Sequence, residues 1–394
     1  MRDVIEELLP WWAAGSTVGM GTVVATWKSA PRQPGAAMLV GPDGTAVGSV
    51  SGGCVEGAVF ELAAEVRDGG QPVLQRYGVS DDDAFAVGLT CGGIIDVFVE
   101  SISRATFPDL DEVADDIRAG RPVAVATVVA GVDRLGAHLV IRPDSVSSSL
   151  GSARLDAAVR DDARGLLEQG RTAVLHYGAN GERRLDDLGV FVSSYAPRPR
   201  MIVFGAIDFA AAVARVGSFL GYRVTVCDAR PTFATARRFP DADEVVVEWP
   251  HRYLANTDVD GRTVLAVLTH DPKFDVPLLE IALRLPVAYV GAMGSRRTNE
   301  DRLDKLRERG LTTAELARLH APIGLDLGAR TPEETAVSIA AELIGQRWGG
   351  SGRALRTVAG PIHRDRLADS AAPDAPAVAA PARDGHSAGV PAQY

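Results

Sequence analysis

The sequence predicts an α/β protein in which an N-terminal α+β domain is followed by a C-terminal Rossmann-like domain with a doubly wound parallel sheet. Residues 1–195 contain short apolar strands, hairpin turns and a few helical segments. From residue 201 to 348, short apolar strands alternate with helical segments, which is typical of a parallel sheet covered on both faces. Residues 196–200 contain two prolines, favour extended backbone and are predicted to link the two domains.

The N-terminal domain is predicted to begin with an amphipathic helix over residues 2–14 and a strand that ends at Trp27. Asp43-Gly44 between two apolar runs indicates a β-hairpin, and a helix is expected directly after Cys54. The sequence shows no internal repeat of fixed period. The later elements of this domain are predicted as strands at 74–79, 94–99, 122–129, 135–142, 172–177 and 189–194, and as helices at 109–118 and 153–169.

The C-terminal domain is predicted from alternating segments that end in a well-marked helix. Thr331, Pro332 and Glu334 have the spacing of a capping box, which marks the start of that helix. Residues 349–394 contain few large apolar side chains and are predicted to be a disordered tail. The predicted strands are 201–204, 222–227, 244–247, 262–268 and 286–290, and the predicted helices are 208–220, 233–238, 251–255, 275–284, 295–309 and 332–346.

Composition excludes several classes of partner. The net charge of −10 argues against nucleic acid, because phosphate backbones bind basic surfaces. No apolar run approaches the roughly 20 residues that span a bilayer, and the N-terminus lacks the apolar core of a signal peptide. A cytoplasmic protein without a membrane partner is therefore expected. Cys54, Cys91 and Cys227 are odd in number and far apart, which does not suit a disulfide framework.

Two glycine–cysteine loops form the first candidate binding site. Ser51-Gly52-Gly53-Cys54 precedes a predicted helix, and its glycines allow backbone N–H groups to form an anion-binding nest. A thiol at a helix start gains thiolate character, and a thiolate binds soft metals. Cys91-Gly92-Gly93 repeats this chemistry before a strand, so Cys54 and Cys91 are the candidate metal ligands. The alternative is that both are small buried residues beside tight turns.

A third loop, residues 28–35, carries Lys28, Arg32 and Gln33. These side chains suit an anionic ligand, although charged side chains on an exposed loop are commonly only solvated. The loop is a weaker candidate than the two glycine–cysteine loops for that reason.

The first turn of the Rossmann-like domain departs from the dinucleotide-binding pattern G-x-G-x-x-G/A. Gly205 keeps the first glycine, but Ile207 replaces the middle one and Asp208 places a carboxylate where a pyrophosphate would lie. Both changes argue against the binding of NAD(P) in its ordinary pose. An NAD(P)-binding oxidoreductase is therefore only the alternative function. Asp228 follows the second strand, and its distance in sequence from Gly205 is close to the ~20 residues that separate a ribose-binding acid from the first glycine. A turn or helix-capping role for Asp228 stays open.

Two further strand ends carry polar residues. Ligands of parallel α/β sheets bind beyond the carboxyl ends of the strands, where His270 and Asp271 are predicted to lie. Gly294-Ser295 leads into a helix with Arg296 and Arg297 in its first turn, which suits a phosphate. The alternatives are a helix cap at Asp271 and a solvated helix face for the arginines.

Four segments, residues 48–56, 270–275, 291–297 and 320–326, read GSVSGGCVE, HDPKFD, GAMGSRR and HAPIGLD. In this combination and order they resemble the motifs of the XdhC/CoxI family, and the similarity extends over about residues 10–347. Cys54 and Cys91 match the glycine-flanked cysteines of the family, which the resemblance assigns to contact with the cofactor or its sulfur. The Gly205 turn matches the Rossmann turn of the family, although many members keep G-x-G there.

The resemblance implies an accessory protein for the molybdenum cofactor, as molybdopterin or its dinucleotide form. Such a protein supports sulfuration of the cofactor by a cysteine desulfurase and delivers it to the large subunit of a xanthine dehydrogenase or CO dehydrogenase-type molybdenum hydroxylase. It also implies a cytoplasmic, nucleotide-binding homodimer that is a maturation chaperone rather than the dehydrogenase itself. A non-catalytic regulatory subunit of the hydroxylase is a further alternative. The candidate cofactor-binding residues are Ser51, Gly52, Gly53, Cys54, Cys91, Gly92, Gly93, Gly205, Asp228, His270, Asp271, Gly294, Ser295, Arg296 and Arg297.

Overall fold

The structure is a computed structural model that describes residues 1–27, 30–78, 93–131, 133–183 and 185–359. It confirms the predicted α/β fold class, with an antiparallel N-terminal part and a parallel C-terminal sheet. The last antiparallel strand ends at Tyr195 and the first parallel strand begins at Arg200.

The N-terminal domain contains two units with the same order of elements. The first comprises α1 (Ile5–Ala13), β1 (Val18–Trp27), β2 (Ala37–Val40), β3 (Ala46–Gly48), α2 (Glu56–Arg67), β4 (Val73–Tyr77) and β5 (Ile94–Ile102). The second comprises α3 (Leu110–Arg118), β6 (Val123–Ala130), β7 (His138–Ile141), β8 (Val146–Ser148), α4 (Ala153–Gln169), β9 (Ala173–Tyr177) and β10 (Leu188–Tyr195). The first strands of the two units begin 105 residues apart and the third strands 100 residues apart, so the sequence has no fixed period.

Each unit forms one five-stranded antiparallel sheet. The strand orders are β3-β2-β1-β5-β4 and β8-β7-β6-β10-β9, which are identical when the units are superposed in sequence order. Helix α2 packs on one face of the first sheet and α4 on one face of the second. The other faces meet through a shared apolar core that includes Met20, Val125 and Tyr195. The domain is therefore a sandwich of two sheets with a helix outside each.

The C-terminal domain has a six-stranded sheet in the order β13-β12-β11-β14-β15-β16, and all its paired strands are parallel. This is the Rossmann order, which reverses between β11 and β14 and brings all carboxyl strand ends to one edge. The strands are β11 (Arg200–Phe204), β12 (Arg223–Asp228), β13 (Glu244–Val247), β14 (Val264–Val267), β15 (Tyr289–Ala292) and β16 (Leu319–His320). The helices are α5 (Asp208–Phe219), α6 (Pro250–Asn256), α7 (Pro272–Ala282), α8 (Arg296–Glu308), α9 (Thr313–Leu316) and α10 (Pro332–Trp348).

One predicted helix of this domain is wrong. Residues 233–238 form separate turns, such as Phe233 N–H to Arg230 O at 3.0 Å and Arg238 N–H to Thr235 O at 3.0 Å. Six residues bounded by nearby prolines are too few to propagate a helix against the cost of nucleation. The capping box at Thr331 and Glu334 is confirmed, and it starts α10 as expected.

The chain continues beyond α10 through Gly349, whose left-handed backbone ends the helix. A short 3-10 turn follows at Leu355–Thr357. Residues 360–394 of the predicted disordered tail lie outside the described residues. Among the helices that the structure describes, none has the length and apolar character needed to cross a membrane.

Candidate functional site

The Ser51–Cys54 loop is braced from within by Glu56, the first residue of α2. Glu56 Oε1 accepts hydrogen bonds from the backbone N–H groups of Ser51 and Gly52 at 2.8 and 2.9 Å. Oε2 accepts the N–H of Gly53 at 2.8 Å. Burial acts to raise the pKa of Glu56, but hydrogen bonds from Ser51 and Ser49 outweigh it and lower that pKa to about 2. The predicted anion-binding nest is present, and it holds the carboxylate of the chain itself.

Cys54 is fixed by the same brace. The Ser51 hydroxyl accepts the N–H of Cys54 at 2.9 Å and that of Val55 at 3.0 Å. Gly52 and Gly53 have φ angles of +79° and +119°, a region that L side chains rarely adopt. The Cys54 side chain is half-buried against the apolar cluster inside the first unit. The loop therefore holds a partly accessible thiol in one place at the start of a helix.

The second predicted thiol cannot be placed beside it. Cys91 and Gly92 lie outside the described residues, whereas Gly93 is buried directly before β5. Ile95, near the start of that strand, belongs to the apolar cluster against which Cys54 packs. The pairing of Cys54 with Cys91 as metal ligands stays a prediction. Within the described ranges, no group of three or more His, Cys, Asp or Glu side chains is arranged to hold a metal.

The second unit has a loop at the equivalent position that keeps the brace and lacks the cysteine. Asp156 accepts the Ser149 hydroxyl at 2.7 Å and the Leu150 N–H at 2.8 Å. Asp156 is thus the counterpart of Glu56. Arg154 precedes Asp156 by two residues, as Cys54 precedes Glu56, but Arg154 lies in the first turn of α4, whereas Cys54 lies in the loop before α2.

The C-terminal domain brings its candidate residues to the carboxyl edge of the parallel sheet. Gly205 follows β11 with a φ of +109°, and a Cβ there would lie 3.0 Å from the backbone nitrogen of Thr269. Glycine is therefore required both by conformation and by the close approach of the chain after β14. Ile207 is the N-cap of α5 and packs against the domain core, so a side chain fills the place of the middle glycine.

Asp228 is fully engaged by its own chain. Oδ2 accepts the Ala206 N–H at 2.7 Å and Arg230 Nη2 at 2.8 Å. Oδ1 accepts the Arg230 N–H and Nε, both at 2.9 Å. Burial acts to raise the pKa of Asp228, but the Arg230 and Ala206 hydrogen bonds outweigh it and hold that pKa below its usual range. A ribose hydroxyl would have to displace Arg230, and binding of a cofactor by Asp228 stays a prediction.

His270 and Asp271 follow β14 at the same edge. Asp271 caps α7, with its Oδ1 accepting the Lys273 N–H at 3.1 Å and its Oδ2 lying 3.0 Å from Lys273 Nζ. These contacts with Lys273 lower the pKa of Asp271. His270 is exposed beside the cap. Asp271 therefore caps α7, and binding of a cofactor by His270 or Asp271 stays a prediction.

The segment after β15 leads from Gly294 into α8. Ser295 is the N-cap, and its hydroxyl accepts the Thr298 N–H at 3.1 Å. Arg296 and Arg297 are exposed in the first turn, and neither forms an ion pair with another described residue. Their free guanidinium groups and the positive end of α8 suit an anion at this strand end.

Sequence reasoning missed a buried ion pair beneath these strand ends. Arg302 Nη2 donates to Asp275 Oδ2 and to the Met293 carbonyl, both at 2.8 Å. Thr269 donates its hydroxyl proton to the other carboxylate oxygen of Asp275. Arg302 and Leu306 are four residues apart on the buried side of α8. The signal that could have revealed this pair was an arginine on the apolar face of a predicted helix, where an unpaired charge is rare.

The structure thus assembles two clusters from the predicted residues. Gly205, Asp228, His270 and the Gly294 segment share the carboxyl edge of the C-terminal sheet. The Ser51–Cys54 loop belongs to the N-terminal domain, and the hydrogen bonds described above stay within each domain. One pocket that includes both clusters stays a prediction.

Residues 201–343 match the model of the XdhC Rossmann domain, and residues 11–78 and 116–178 match the model of the XdhC and CoxI family. A protein from Bacillus subtilis (strain 168), named as a probable subunit of xanthine dehydrogenase, is 28% identical over 330 residues, which cover 83% of this chain and 92% of that protein. The molybdenum cofactor insertion chaperone PaoD from Escherichia coli (strain K12) is 27% identical over 347 residues, with 88% and 87% covered.

A solved structure is similar over almost the whole fold. The crystal structure of a xanthine dehydrogenase from Bacillus halodurans has a TM-score of 0.64 and 26% identity, and the match covers 91% of this chain and 98% of that one. The two family models together match both domains described here. The chain belongs to the XdhC and CoxI family.

Proposed function

We propose that this chain binds the molybdenum cofactor as cargo and delivers it to a molybdenum hydroxylase of the xanthine dehydrogenase type. Similarity to a cofactor insertion chaperone supports the proposal. One structural observation carries it. Gly52, Gly53 and Cys54 lie before the helix of the first unit only, and the second unit forms a similar acid brace without glycines or a cysteine, so the brace does not require a cysteine.

The available side chains suit the two chemically different ends of the cofactor. A thiolate is a good ligand for a soft metal and its sulfur atoms, which assigns that end to Cys54 and its predicted partner Cys91. Glu56 already occupies the loop amides, so the loop contributes a thiol rather than an anion nest. Arg296 and Arg297 at the start of α8 are assigned to the phosphate end. Both clusters must then reach one cofactor, within one protomer or across a homodimer.

The finer parts of the proposal concern partners. The protein would hold the cofactor while a cysteine desulfurase supplies sulfur, and it would then dock on the large subunit of the hydroxylase. The regulatory alternative makes a different prediction, since a purely regulatory subunit would capture the hydroxylase equally well with and without bound cofactor. A pull-down from cells with and without cofactor synthesis separates the two.

An NAD(P)-dependent oxidoreductase receives less support from the geometry. Ile207 fills the place of the middle glycine, and Arg230 occupies the carboxylate of Asp228. Both features obstruct a dinucleotide in its ordinary pose. Calorimetry with NAD(P) on the full chain should therefore show no binding.

The central test measures cofactor retained by the full chain. The protein is co-expressed with cofactor synthesis and purified, and the released pterin is oxidised and quantified by fluorescence. Cys54→Ser should lower retention at least about tenfold, the scale on which loss of a group that supports a metal site acts. Mass spectrometry of the released molecule distinguishes molybdopterin from its dinucleotide form.

The second unit provides the matched control. Arg154→Ser changes the residue that stands two before the acid in the second unit, in the first turn of α4, and should leave retention at the wild-type level. Absence of pterin from the wild-type protein, or equal losses in the two variants, would contradict the proposal.

A further inference from the structure

A cavity of about 430 Å³ lies on the seam between the two units of the N-terminal domain. Residues 31–36 of the first unit form one side, and the start of β9 and the end of β10 form the other. Its polar lining includes Arg2, Arg32, Thr172, Ser193 and Ser194, with Asp3 at the rim. None of these residues belongs to the cofactor site proposed above.

The two units define equivalent positions along this seam. Gly35 donates its N–H to Val23 O at 2.8 Å in the first unit, and Gly136 donates to Val128 O at 2.9 Å in the second. These two bonds align the units, so that Thr22 of the first is equivalent to Thr127 of the second. Thr22 pairs with Ala37, and Thr127 pairs with His138, which makes Ala37 the equivalent of His138. By the same register, Met20 pairs with Glu100, and its equivalent Val125 pairs with Ser193.

The two units also meet at a second seam, which contains Glu100 and His138. Side chains fill that seam at the position where the first seam is open. Glu100 Oε2 lies 3.1 Å from His138 Nε2, a close polar contact whose geometry falls short of a hydrogen bond. Phe107 stacks on His138 with ring centroids 4.3 Å apart. Ser193, which lines the cavity, stands in place of Glu100, and the buried Ala37 stands in place of His138. The short side chain of Ser193 leaves space where Glu100 fills the other seam.

The groups that line the cavity are mostly donors. Arg32 has only a loose ion pair at 3.5 Å with Asp3, and both side chains are well exposed, so Arg32 remains available to an anion. Thr172 Oγ1 accepts the Ser194 N–H at 3.1 Å, which leaves its own proton to donate.

We propose that the seam cavity binds a phosphorylated small organic molecule. The three terminal oxygens of a phosphate can accept from the guanidinium groups of Arg2 and Arg32 and from a hydroxyl at the same time, and its charge of about −1.5 to −2 suits two guanidinium groups better than the single charge of a carboxylate does. The volume lies within the range of about 300–1,000 Å³ of small-molecule sites and leaves room for an organic group beyond the phosphate. The proposal is independent of the cofactor-handling function, because it uses none of the same residues.

The test is a ³¹P NMR titration of the full chain with phenyl phosphate and with inorganic phosphate. Wild-type protein should bind phenyl phosphate more tightly than inorganic phosphate, and Arg32→Gln should weaken both at least about fivefold, since removing a charge-assisted hydrogen bond has an effect of this order. Arg215→Gln, at an arginine that is 71% exposed and pairs with Asp241, is the control and should bind like wild type.

Two further arms keep the proposal falsifiable. Ser193→Gln places at this seam a side chain as long as that of Glu100 and should abolish phenyl phosphate binding, with folding checked by circular dichroism. Benzoate tests the ligand class and should compete poorly. The proposal is overturned if wild type binds no phosphate, if Arg32→Gln binds like Arg215→Gln, or if benzoate binds as tightly as phenyl phosphate.

Discussion

In the N-terminal domain, the loop from β3 to α2 and the loop from β8 to α4 begin alike and then diverge, because α4 starts at Ala153 whereas α2 starts only at Glu56. Both begin at a residue with positive φ, Gly48 or Ser148, and both are closed by an acid at the start of the helix. The first loop continues through two glycines and Cys54, whereas the second unit has Ser152 and then Ala153 and Arg154, the first two residues of α4. The acid that both units share, Glu56 or Asp156, stabilises the fold. The two glycines and the thiol of Cys54 are present in the first unit only.

The seams of the same domain differ in the same manner. Around Glu100 and His138 the interior is closed by a buried polar pair, and around Ser193 it is open. Duplication thus supplies two copies of each structural position. One copy can retain a stabilising role while the other takes on chemistry.

The largest expected effect comes from breaking the closed seam. Glu100→Ala leaves His138 buried beside an empty volume and should lower the free energy of unfolding by about 2–4 kcal/mol, because it removes buried side-chain contacts and leaves a buried polar group without its neighbour. The equivalent change in the other unit, Ser193→Ala, should lower it by less than about 1 kcal/mol. Urea denaturation of both variants measures the difference, and equal losses would show that the two seams are energetically alike.

Local elements could be predicted from the sequence because their signals are local. The helix over 153–169 and the capping box at Thr331 depend on periodicity and on side chains three residues apart. The similarity of the two N-terminal units could not be predicted from the sequence, because the spacing of their strands differs and they share few residues. Short elements such as α9 and β16 were missed, since four and two residues carry no period.

The candidate site was predicted in part. Gly205, His270 and Arg296 were expected at one sheet edge, and parallel strand order alone places them there. The partners of Glu56, Asp228 and Arg302 were not foreseen, because hydrogen-bond acceptance depends on distances that a sequence does not contain. The glycines predicted the amide nest, but the sequence did not indicate that the Glu56 carboxylate would occupy it.

An intermediate effect is expected from removing the two braces. Glu56 accepts four backbone N–H groups and two hydroxyls, whereas Asp156 accepts one of each, so Glu56→Ala leaves more donors unpaired. Glu56→Ala should lower the free energy of unfolding by about 2–3 kcal/mol and Asp156→Ala by about 1 kcal/mol. Urea denaturation at neutral pH measures both, and a larger loss for Asp156→Ala would reverse the assigned importance of the two loops.

The pH dependence gives a second measure of the Glu56 brace. The pKa of Glu56 in the folded protein is about 2, below its ordinary value of 4.5. A depressed carboxyl pKa stabilises the fold above the ordinary value, and that contribution disappears as the pH falls from about 4.5 towards 2. Glu56→Gln should therefore flatten the decline of stability in this window. An unchanged profile would mean that the carboxylate is not ionised against the loop amides.

The smallest effect on stability, and the one that bears most directly on the thiol, is expected at Gly53. Its φ is +119°, and a Cβ added there would meet no atom within 4 Å, so Gly53→Ala carries only the backbone penalty, about 1 kcal/mol. The matched change in the second unit, Ala153→Gly, lies at the start of a helix and should alter stability by less than about 1 kcal/mol. To relieve its strain the first loop must shift, and the position of Cys54 shifts with it. Pterin retention should consequently fall several-fold in Gly53→Ala and not in Ala153→Gly, and equal retention in the two variants would show that the thiol does not depend on this loop conformation.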